Sequence, residues 1–315
     1  MANSQIDPAT LALIGDAAQT LAHGDLVAFP TETVYGLGAD ACNDAAIAKI
    51  FAAKGRPSDH PLIVHVASPS GVSHFASEVP VFAQKLIAAF WPGPLTVILP
   101  RRPSIAKAAA GGQDSIGLRC PSHPMALSLL RASEKLGVLG VAAPSANRFG
   151  RVSPTSAAHV KSEFQDEFGD SLFVLDGGDC DVGIESAIVD CTRGVPVLLR
   201  HGMLTFKQLA DACGEPLLLP EALSSKAPKA SGTLESHYAP RAKVRLMSAD
   251  EMQTLTSNAK RACYVLPTAP EHAAHELFAV LRRLDETGVS EICVSTPPAG
   301  EAWDGVRDRL LRAAA

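Results

Sequence analysis

Apolar and polar positions alternate along this chain in two ways, which predict two kinds of element. Short apolar runs bounded by glycine, proline or polar residues are typical of buried strands. Longer segments place apolar residues on one helical face, as Ile47, Ile50 and Phe51 do in a helix that Asn43 is predicted to cap and Gly55 to end. Because such strands and helices follow one another, the pattern predicts an α/β fold with a mixed sheet.

The first part of the chain carries most of the predicted elements. Strands are predicted at 26–29, 62–66, 95–99, 115–118, 138–142, 172–175, 186–189 and 195–199. Helices are predicted at 8–24, 43–55, 79–91, 124–136 and 153–164. Some strands follow one another directly, as in a hairpin, and others are joined through a helix, so both antiparallel and parallel pairs are expected.

The second part of the chain has a different composition. From Gly214 to Pro240 the chain is rich in proline, serine, alanine and glycine without a hydrophobic period, which indicates a linker. Strands at 244–247, 263–266 and 291–294 then alternate with helices at 249–260, 271–286 and 303–314, as in a small Rossmann-like parallel domain. We therefore predict a larger domain at 1–213, a linker at 214–241 and a small α/β C-terminal domain at 242–315.

Composition and charge narrow the class of protein. The 315 residues are 47% hydrophobic, and the net charge of −5 argues against a globally basic nucleic-acid binder. Seven scattered cysteines, an odd number without a Cys-x-x-Cys pair, are typical of reduced thiols in the cytoplasm. The N-terminus lacks the basic and apolar regions of a signal peptide, and no apolar run is long enough to span a bilayer. We expect a cytoplasmic protein that does not enter a membrane.

Candidate chemistry lies where predicted elements end. Lys54 and Arg56 flank Gly55 at a helix end, and Arg119 and Arg200 each follow an apolar strand. Each cation alone could be a solvated residue or a favourable charge at a helix C-terminus. Together, four cations at the ends of α/β elements favour a site for a polyanion and a carboxylate, because lysine and arginine bind phosphate and carboxylate oxygens.

Two familiar nucleotide motifs and a metal motif are missing from the sequence. There is no Gly-x-x-x-x-Gly-Lys-Ser/Thr and no Gly-x-Gly-x-x-Gly, so neither a P-loop nor a dinucleotide fingerprint is expected. The ten histidines show no zinc-like spacing, so no metal site is predicted. His65 lies inside an apolar strand, where a core histidine is the alternative to a ligand-binding one. His237 and Tyr238 either anchor the linker or close a site as part of a lid.

Eight short motifs occur in an order that resembles a known family. They are 29–38 FPTETVYGLG, 54–57 KGRP, 61–65 PLIVH, 91–96 WPGPLT, 143–147 APSAN, 153–155 SPT, 176–178 DGG and 183–186 GIES. This set resembles the YrdC-like threonylcarbamoyl-AMP synthases, and 237–240 HYAP with the α/β tail is similar to their longer, two-domain form. The resemblance implies a YrdC-like catalytic domain at 1–213, with a twisted mixed sheet around a positive cleft.

The resemblance also implies a reaction. L-Threonine and bicarbonate would give N-carboxythreonine, whose carboxylate attacks the α-phosphate of ATP to give threonylcarbamoyl-AMP and pyrophosphate. ATP would be a substrate, accompanied by Mg²⁺. A partner complex would then transfer the threonylcarbamoyl group to tRNA.

Site residues follow from the matching motifs. The residues implied to bind threonine are Thr33, His65, Arg119, Ala143 and Ser186. The residues implied to bind ATP are Lys54, Arg56, His60, Ser115, Ser145, Asn147, Ser153, Arg200 and Tyr238. Lys54 and Arg56 are expected to be the catalytic pair, acting by positioning and charge stabilisation.

Two other functions stay open at this point. A carbamoyltransferase of related fold would use carbamoyl phosphate, although no accompanying zinc-finger-like or acylphosphatase module is visible in the sequence. An RNA-binding module would use the same positive cleft, but the acidic net charge and the lack of interleaved aromatic and basic residues disfavour it.

Overall fold

A nine-stranded mixed sheet forms the larger part of the computed structural model, which describes residues 6–223, 227–234 and 236–315. Its strand order is β7-β1-β2-β6-β3-β5-β4-β8-β9, and the pairs β1/β7, β3/β5 and β4/β8 are parallel. The strands are β1 (Val27–Phe29), β2 (Gly36–Asp40), β3 (Ile63–His65), β4 (Leu95–Pro100), β5 (Ser115–Arg119), β6 (Val141–Ala142), β7 (Phe173–Val174), β8 (Ala187–Asp190) and β9 (Val197–Arg200). The predicted mixed α/β fold is confirmed.

Seven helices accompany this sheet in the described residues. They are α1 (Pro8–Ala22), α2 (Asp44–Lys54), α3 (Val72–Phe75), α4 (Val81–Phe90), α5 (Pro124–Lys135), α6 (Ala157–Phe168) and α7 (Phe206–Cys213). The local signals explain their ends. The Asp7 side chain caps α1 by accepting from two backbone N–H groups, and Asn43 caps α2. Gly55 ends α2 in the left-handed region, with φ of 59°.

Two apolar clusters cover the two faces of the large sheet. Phe29 belongs to the cluster that contains α1 and α5 residues, whereas its neighbour Ala28 belongs to the cluster that contains α2 and α4 residues. Successive strand residues point to opposite faces, so the two clusters lie on opposite sides of the sheet. The strands of the large sheet are therefore packed on both faces.

A second, three-stranded sheet lies in the C-terminal part. It consists of β10 (Lys243–Met247), β11 (Arg261–Tyr264) and β12 (Glu291–Ser295), all parallel in the order β10-β12-β11. The accompanying helices are α8 (Ala249–Thr254), α9 (Pro270–Glu286) and α10 (Asp304–Ala314). The small parallel sheet is confirmed, but α8 is shorter than predicted because the backbone becomes extended at Leu255.

The apolar core of the C-terminal part continues into the first part. Val34, Val152 and Ile184 pack in the same buried cluster as Leu277 and Phe278 of α9. The two parts are therefore in direct contact at the 29–38 and 183–186 motifs. The exact domain boundaries at 213 and 241 stay a prediction.

Some local structure differs from the sequence-based expectation. Strand β2 was not predicted, because Gly36 and Gly38 suggest a loop; a Cβ at Gly38 would lie 2.8 Å from Phe29 and Val141, so only glycine fits this strand. Helix α7 was also not predicted. Helix α6 begins at Ala157 rather than near Ser153. Among the described residues, no helix is both long and apolar enough to cross a membrane.

Candidate functional site

One cavity gathers many of the predicted site residues. Its lining includes Thr31, Glu185, Ser231 and Gly232, which were not predicted. The predicted residues that line it are Arg56, His65, Arg119, Ala143, Ser145, Ser186, Arg200 and Tyr238. Because these come from distant positions in the chain, the fold brings together the motifs that the sequence keeps apart.

The other predicted residues lie beside this cavity or in a second one. Ser115 lines the second cavity, which shares Ile63 and Ser231 with the first. The remaining residues are not among the lining of either cavity; they are Thr33, Lys54, His60, Asn147 and Ser153. Each of these five residues shares a hydrogen bond with a residue that lines the first cavity.

Glu32, Thr33, His65 and Arg119 form one group of neighbouring side chains, here called the Arg119 end. His65 and Arg119 line the cavity, whereas Glu32 and Thr33 hold Arg119 without lining it. Arg119 Nη2 lies 2.7 Å from Glu32 Oε1 in an ion pair between two almost fully buried side chains. Arg119 Nη1 donates to Thr33 Oγ1 at 2.8 Å. Glu32 also accepts from the Ser122 backbone N–H at 3.1 Å. The guanidinium is thus held firmly, with part of its charge already balanced.

His65 is neutral at this end. Burial, and then the positive charge of Arg119, lower the pKa of His65 to about 3. Its Nδ1 has no hydrogen-bond partner within the described part of the chain. A neutral imidazole beside a guanidinium suits a polar ligand that carries a carboxylate.

Lys54, Arg56 and Arg200 form a second group of neighbouring side chains, here called the Arg56 end, of which Arg56 and Arg200 line the cavity. Arg56 Nη2 donates to the Pro61 carbonyl at 2.9 Å and to Ser231 Oγ at 3.1 Å. Arg200 Nη1 donates to the Ser231 carbonyl at 2.8 Å. The linker residue Ser231 therefore contacts two of the three cations.

The third cation lies deeper. Lys54 Nζ donates to the Ser145 carbonyl at 2.6 Å and also to the Asn147 carbonyl, so it holds the 143–147 loop. Within the described residues, the hydrogen bonds that Lys54, Arg56 and Arg200 donate all go to neutral oxygen atoms. These bonds leave the positive charges without a carboxylate in direct contact.

Burial makes this arrangement costly without an anion. Burial, and then the charge of Arg56, lower the pKa of Lys54 well below its usual value. Burial also lowers the pKa of Arg56 to about 10. Buried charges are normally paired, so an incoming polyanion would relieve the unfavourable positive charge at the Arg56 end.

The linker closes over the same end. Tyr238 is 1% exposed, and its backbone takes the left-handed region with φ of 62°. Its ring lies 5.4 Å from the ring of Phe278 in α9, and the His237 ring meets it edge to face at a centroid distance of 4.2 Å. Burial raises the pKa of Tyr238 to about 12, so its hydroxyl stays protonated. The predicted contact between the linker and the site is present in this geometry.

Comparisons with known proteins identify the family. The Sua5_yciO_yrdC family model, described as telomere recombination, matches residues 19–202, and the threonylcarbamoyl-AMP synthase C-terminal domain model matches residues 204–315. The threonylcarbamoyl-AMP synthase of Pyrococcus abyssi is 39% identical over 94% of this chain and 92% of its own length. That of Bacillus subtilis is 37% identical over 96% of this chain and 92% of its own. The chain belongs to the two-domain threonylcarbamoyl-AMP synthase family.

A solved structure supports this membership. The structure of P. abyssi Sua5 complexed with L-threonine has a TM-score of 0.86 and 35% identity to this chain, and it covers 99% of this chain and 96% of its own. The predicted family, the fold and the enzyme class are confirmed. The comparisons favour the synthase over the carbamoyltransferase and the RNA-binding module.

Several residues at the synthase-family site were not predicted. Glu185 lines the cavity and accepts from Ser153 Oγ, and its position inside the 183–186 motif was the available signal. Ser231 lies in a linker segment that sequence alone gives no reason to place beside Arg56. Arg309, which donates to Glu185 from α10 at 2.8 Å, has no distinguishing sequence pattern at all.

Proposed function

We propose that this chain condenses L-threonine, bicarbonate and ATP to threonylcarbamoyl-AMP and pyrophosphate. The observation that carries the proposal is that one cavity is lined at one end by Arg119 and His65 and at the other by Arg56 and Arg200. A carboxylate-bearing amino acid and a triphosphate are the two ligands that these ends suit. Family membership supplies the identity of the reaction.

Threonine is proposed to lie at the Arg119 end. Arg119 would bind the threonine carboxylate while Glu32 and Thr33 hold its guanidinium in place. His65, Ala143 and Ser186 would surround the rest of the molecule. Ser186 Oγ is itself fixed between Thr96 Oγ1 at 2.8 Å and Arg200 Nη2 at 3.2 Å, so it is pre-organised for this role.

ATP is proposed to bind with its phosphates at the Arg56 end and its base towards the second cavity. Arg56 and Arg200 would bind phosphate oxygens, and Lys54 would add charge from behind while it holds the Ser145 carbonyl. The remaining proposed ATP-binding residues would surround the nucleotide; they are His60, Ser115, Ser145, Asn147, Ser153 and Tyr238. The second cavity, which Ile98 and Gly117 line together with Ser115, offers apolar surface for a base.

The proposed chemistry follows from this placement. The amine of threonine combines with bicarbonate, releasing water, to give a carbamate near the meeting point of the two ends. An oxygen of the carbamate attacks the α-phosphate, and the bond between the α-phosphorus and the bridging oxygen breaks, so pyrophosphate leaves. Lys54 and Arg56 are proposed as the catalytic pair because they offset negative charge that grows on the phosphates.

Three further features belong to this proposal. Mg²⁺ is proposed to arrive on the phosphate oxygens of ATP, which it generally binds, and no residue of this chain is assigned to it. A partner complex is proposed to transfer the threonylcarbamoyl group to tRNA. The cysteine pattern supports a cytoplasmic location for the reaction.

The test is pyrophosphate release from ATP by the intact chain, together with detection of threonylcarbamoyl-AMP by mass spectrometry. Both signals should require threonine and bicarbonate together. Pyrophosphate release that is unaffected by omitting either one would overturn the proposal. Adding carbamoyl phosphate in place of bicarbonate and threonine tests the carbamoyltransferase, and a salt titration of RNA binding tests the RNA-binding module.

A further inference from the structure

Arg309 on α10 is the largest fully buried side chain in the described residues. Its Nε donates to Glu185 Oε2 at 2.8 Å, and its Nη2 donates to the Glu185 carbonyl at 3.0 Å. Its Nη1 donates to the His201 carbonyl at 2.9 Å and to Asp308 Oδ2 at 2.7 Å. Because the guanidinium is a rigid fork, these bonds fix both the side chain and the backbone of Glu185.

Glu185 connects Arg309 to the cavity. Glu185 lines the cavity, and its Oε1 accepts a hydrogen bond from Ser153 Oγ, a residue proposed to bind ATP. Arg309 itself is not among the lining residues. One route from Arg309 to a bound ligand therefore passes through Glu185.

Arg309 also contacts the linker. The centre of its guanidinium lies 5.3 Å from the ring centroid of Tyr238, within the range of a cation–π contact. Phe278 of α9 lies against the same ring at 5.4 Å. Two residues of the C-terminal part thus hold the linker aromatic that lines the cavity.

Two glycines allow the C-terminal helices to approach the 183–186 motif this closely. A Cβ at Gly183, whose φ is 81°, would lie 2.4 Å from the carbonyl oxygens of Ala274 and His275 in α9. A Cβ at Gly305, in α10, would lie 2.5 Å from the carbonyl oxygen of Gly202. Larger residues at these positions would push the helices, and with them Arg309, away from Glu185.

The charge of Glu185 makes this contact matter for an anionic ligand. An uncompensated carboxylate in the lining would repel phosphates, whereas a paired one can orient Ser153 without doing so. Burial alone would raise the pKa of Glu185, but Arg309, followed by Arg200 and Ser153, outweighs burial and lowers it. The other charged or titratable groups that interact with Glu185 are Lys54, His237 and Tyr238.

We propose that Arg309 is a positioning residue of the C-terminal part that neutralises and orients Glu185, so that Glu185 can hold Ser153 without repelling the phosphates of ATP. This inference rests on the proposed function, since it takes ATP as the ligand. It gives the C-terminal part a direct role in the site: the ATP-binding end is complete only when α10 is docked.

The test measures ATP affinity and proton uptake by calorimetry in buffers of different ionisation enthalpy, using the full chain. Arg309→Met should weaken ATP binding about tenfold or more, the size of one charged hydrogen bond. ATP binding to this variant should also take up a proton, because the phosphates favour the protonated form of the unpaired Glu185. Arg307→Met is the matched control on the same helix, since Arg307 contacts Asp304, Pro298 and Gly300 instead.

The double variant Arg309→Met/Glu185→Gln decides whether Arg309 acts through Glu185. Glutamine is neutral and still offers an oxygen to Ser153, so the double variant should regain ATP affinity and lose the proton uptake. A double variant that binds ATP no better than Arg309→Met, or an Arg309→Met chain that binds ATP as the wild type does, overturns the proposal. If Arg309→Met does not fold, a double variant that folds and binds ATP as the wild type does supports the proposal, and a double variant that fails to fold or to bind ATP overturns it.

The failures of the two proposals are distinguishable. ATP binding needs neither threonine nor turnover, so the calorimetric comparison is independent of product formation. A wild-type chain that binds ATP but releases no pyrophosphate overturns the proposed function while the Arg309 comparison stands. A chain that makes the adenylate with an unaffected Arg309→Met variant overturns the Arg309 inference alone.

Discussion

The two ends of the cavity hold their cations by opposite means. At the Arg119 end, the guanidinium is paired with a buried carboxylate, Glu32, at 2.7 Å. At the Arg56 end, Arg56 and Arg200 donate to carbonyl and hydroxyl oxygens, and within the described part of the chain neither forms a direct ion pair with a carboxylate. A small amino acid needs a guanidinium held in one orientation, whereas a triphosphate needs a site with net positive charge. Under the proposed function, the group that holds each cation therefore decides which ligand that end suits.

The largest expected effect is on stability at the Arg119 end. Arg119→Met should lower the free energy of unfolding by ~3–5 kcal/mol, because it leaves Glu32 buried without its partner. Urea unfolding, monitored by circular dichroism, measures this loss. The double variant Arg119→Met/Glu32→Gln should regain most of the stability but not the activity. Equal stabilities for the single and double variants would show that the ion pair does not matter to the fold.

The opposite pattern is expected at the Arg56 end. Arg56→Met should lower kcat/KM for ATP. The expected loss of transition-state stabilisation is ~1.5–3 kcal/mol, the scale of a charged hydrogen bond. Its Tm should stay the same or rise, because the substitution removes a buried charge that has no carboxylate in direct contact. Arg148→Met is the matched control, an exposed cation paired with Glu167 outside the cavity. A large drop in Tm for Arg56→Met would remove the contrast between the two ends.

Acid should destabilise the protein through its buried neutral histidines. The folded pKa of His65 is about 3, below the ordinary 6.5, so its contribution to stability is complete above pH 6.5 and is lost as pH falls towards 3. The loss for one such group is ~1.4 kcal/mol per pH unit within that window. His65→Gln should flatten the dependence of unfolding free energy on pH there. His237, whose folded pKa is also about 3 because it is buried, and His159, whose pKa burial lowers to about 4, should keep part of the slope.

The smallest expected effect concerns the linker at the Arg56 end. Ser231→Ala removes the hydroxyl that joins Arg56 and the Pro61 carbonyl, at 3.1 and 2.9 Å. The free energy that holds the linker against the site should fall by ~0.5–1.5 kcal/mol, the net value of such a hydrogen bond. Limited proteolysis should then cut the linker faster, and added ATP and threonine should slow the cut again. Thr233→Ala is the control, because in the described ranges 6–223, 227–234 and 236–315 the Thr233 hydroxyl bonds only the nearby Ala230 carbonyl. If the rate of linker cleavage is the same with and without ATP and threonine, the linker is a passive tether.

The sequence predicted the parts of the site that are carried by local motifs. Arg56, Arg119 and Arg200 each follow a predictable element, and the fold brings all three to one cavity. Helix α7 was also within reach, because Thr205 and Gln208 form a capping box that the sequence displays. Strand β2 could not be predicted, because its glycines are required by close packing against Phe29 and have low strand propensity.

Contacts between distant parts of the chain could not be predicted. Arg309 lies on a helix whose sequence shows ordinary charged and apolar spacing, and only the docking of α10 places it against Glu185. The pairing of Arg119 with Glu32, rather than with solvent, is likewise set by tertiary structure. Sequence therefore predicts which residues lie at the site. The tertiary structure determines which ion pairs and hydrogen bonds each of them forms there.

The most direct test of the two-ended site is the binding of threonine and of ATP, each measured separately by calorimetry, to one variant of each end. The variants are Arg56→Met and Arg119→Met/Glu32→Gln, the second being the charge-balanced form that is expected to keep the fold. Arg56→Met should lose ATP affinity and keep threonine affinity, and the double variant should do the reverse. Equal losses of both ligands in both variants would contradict the assignment of the two ends.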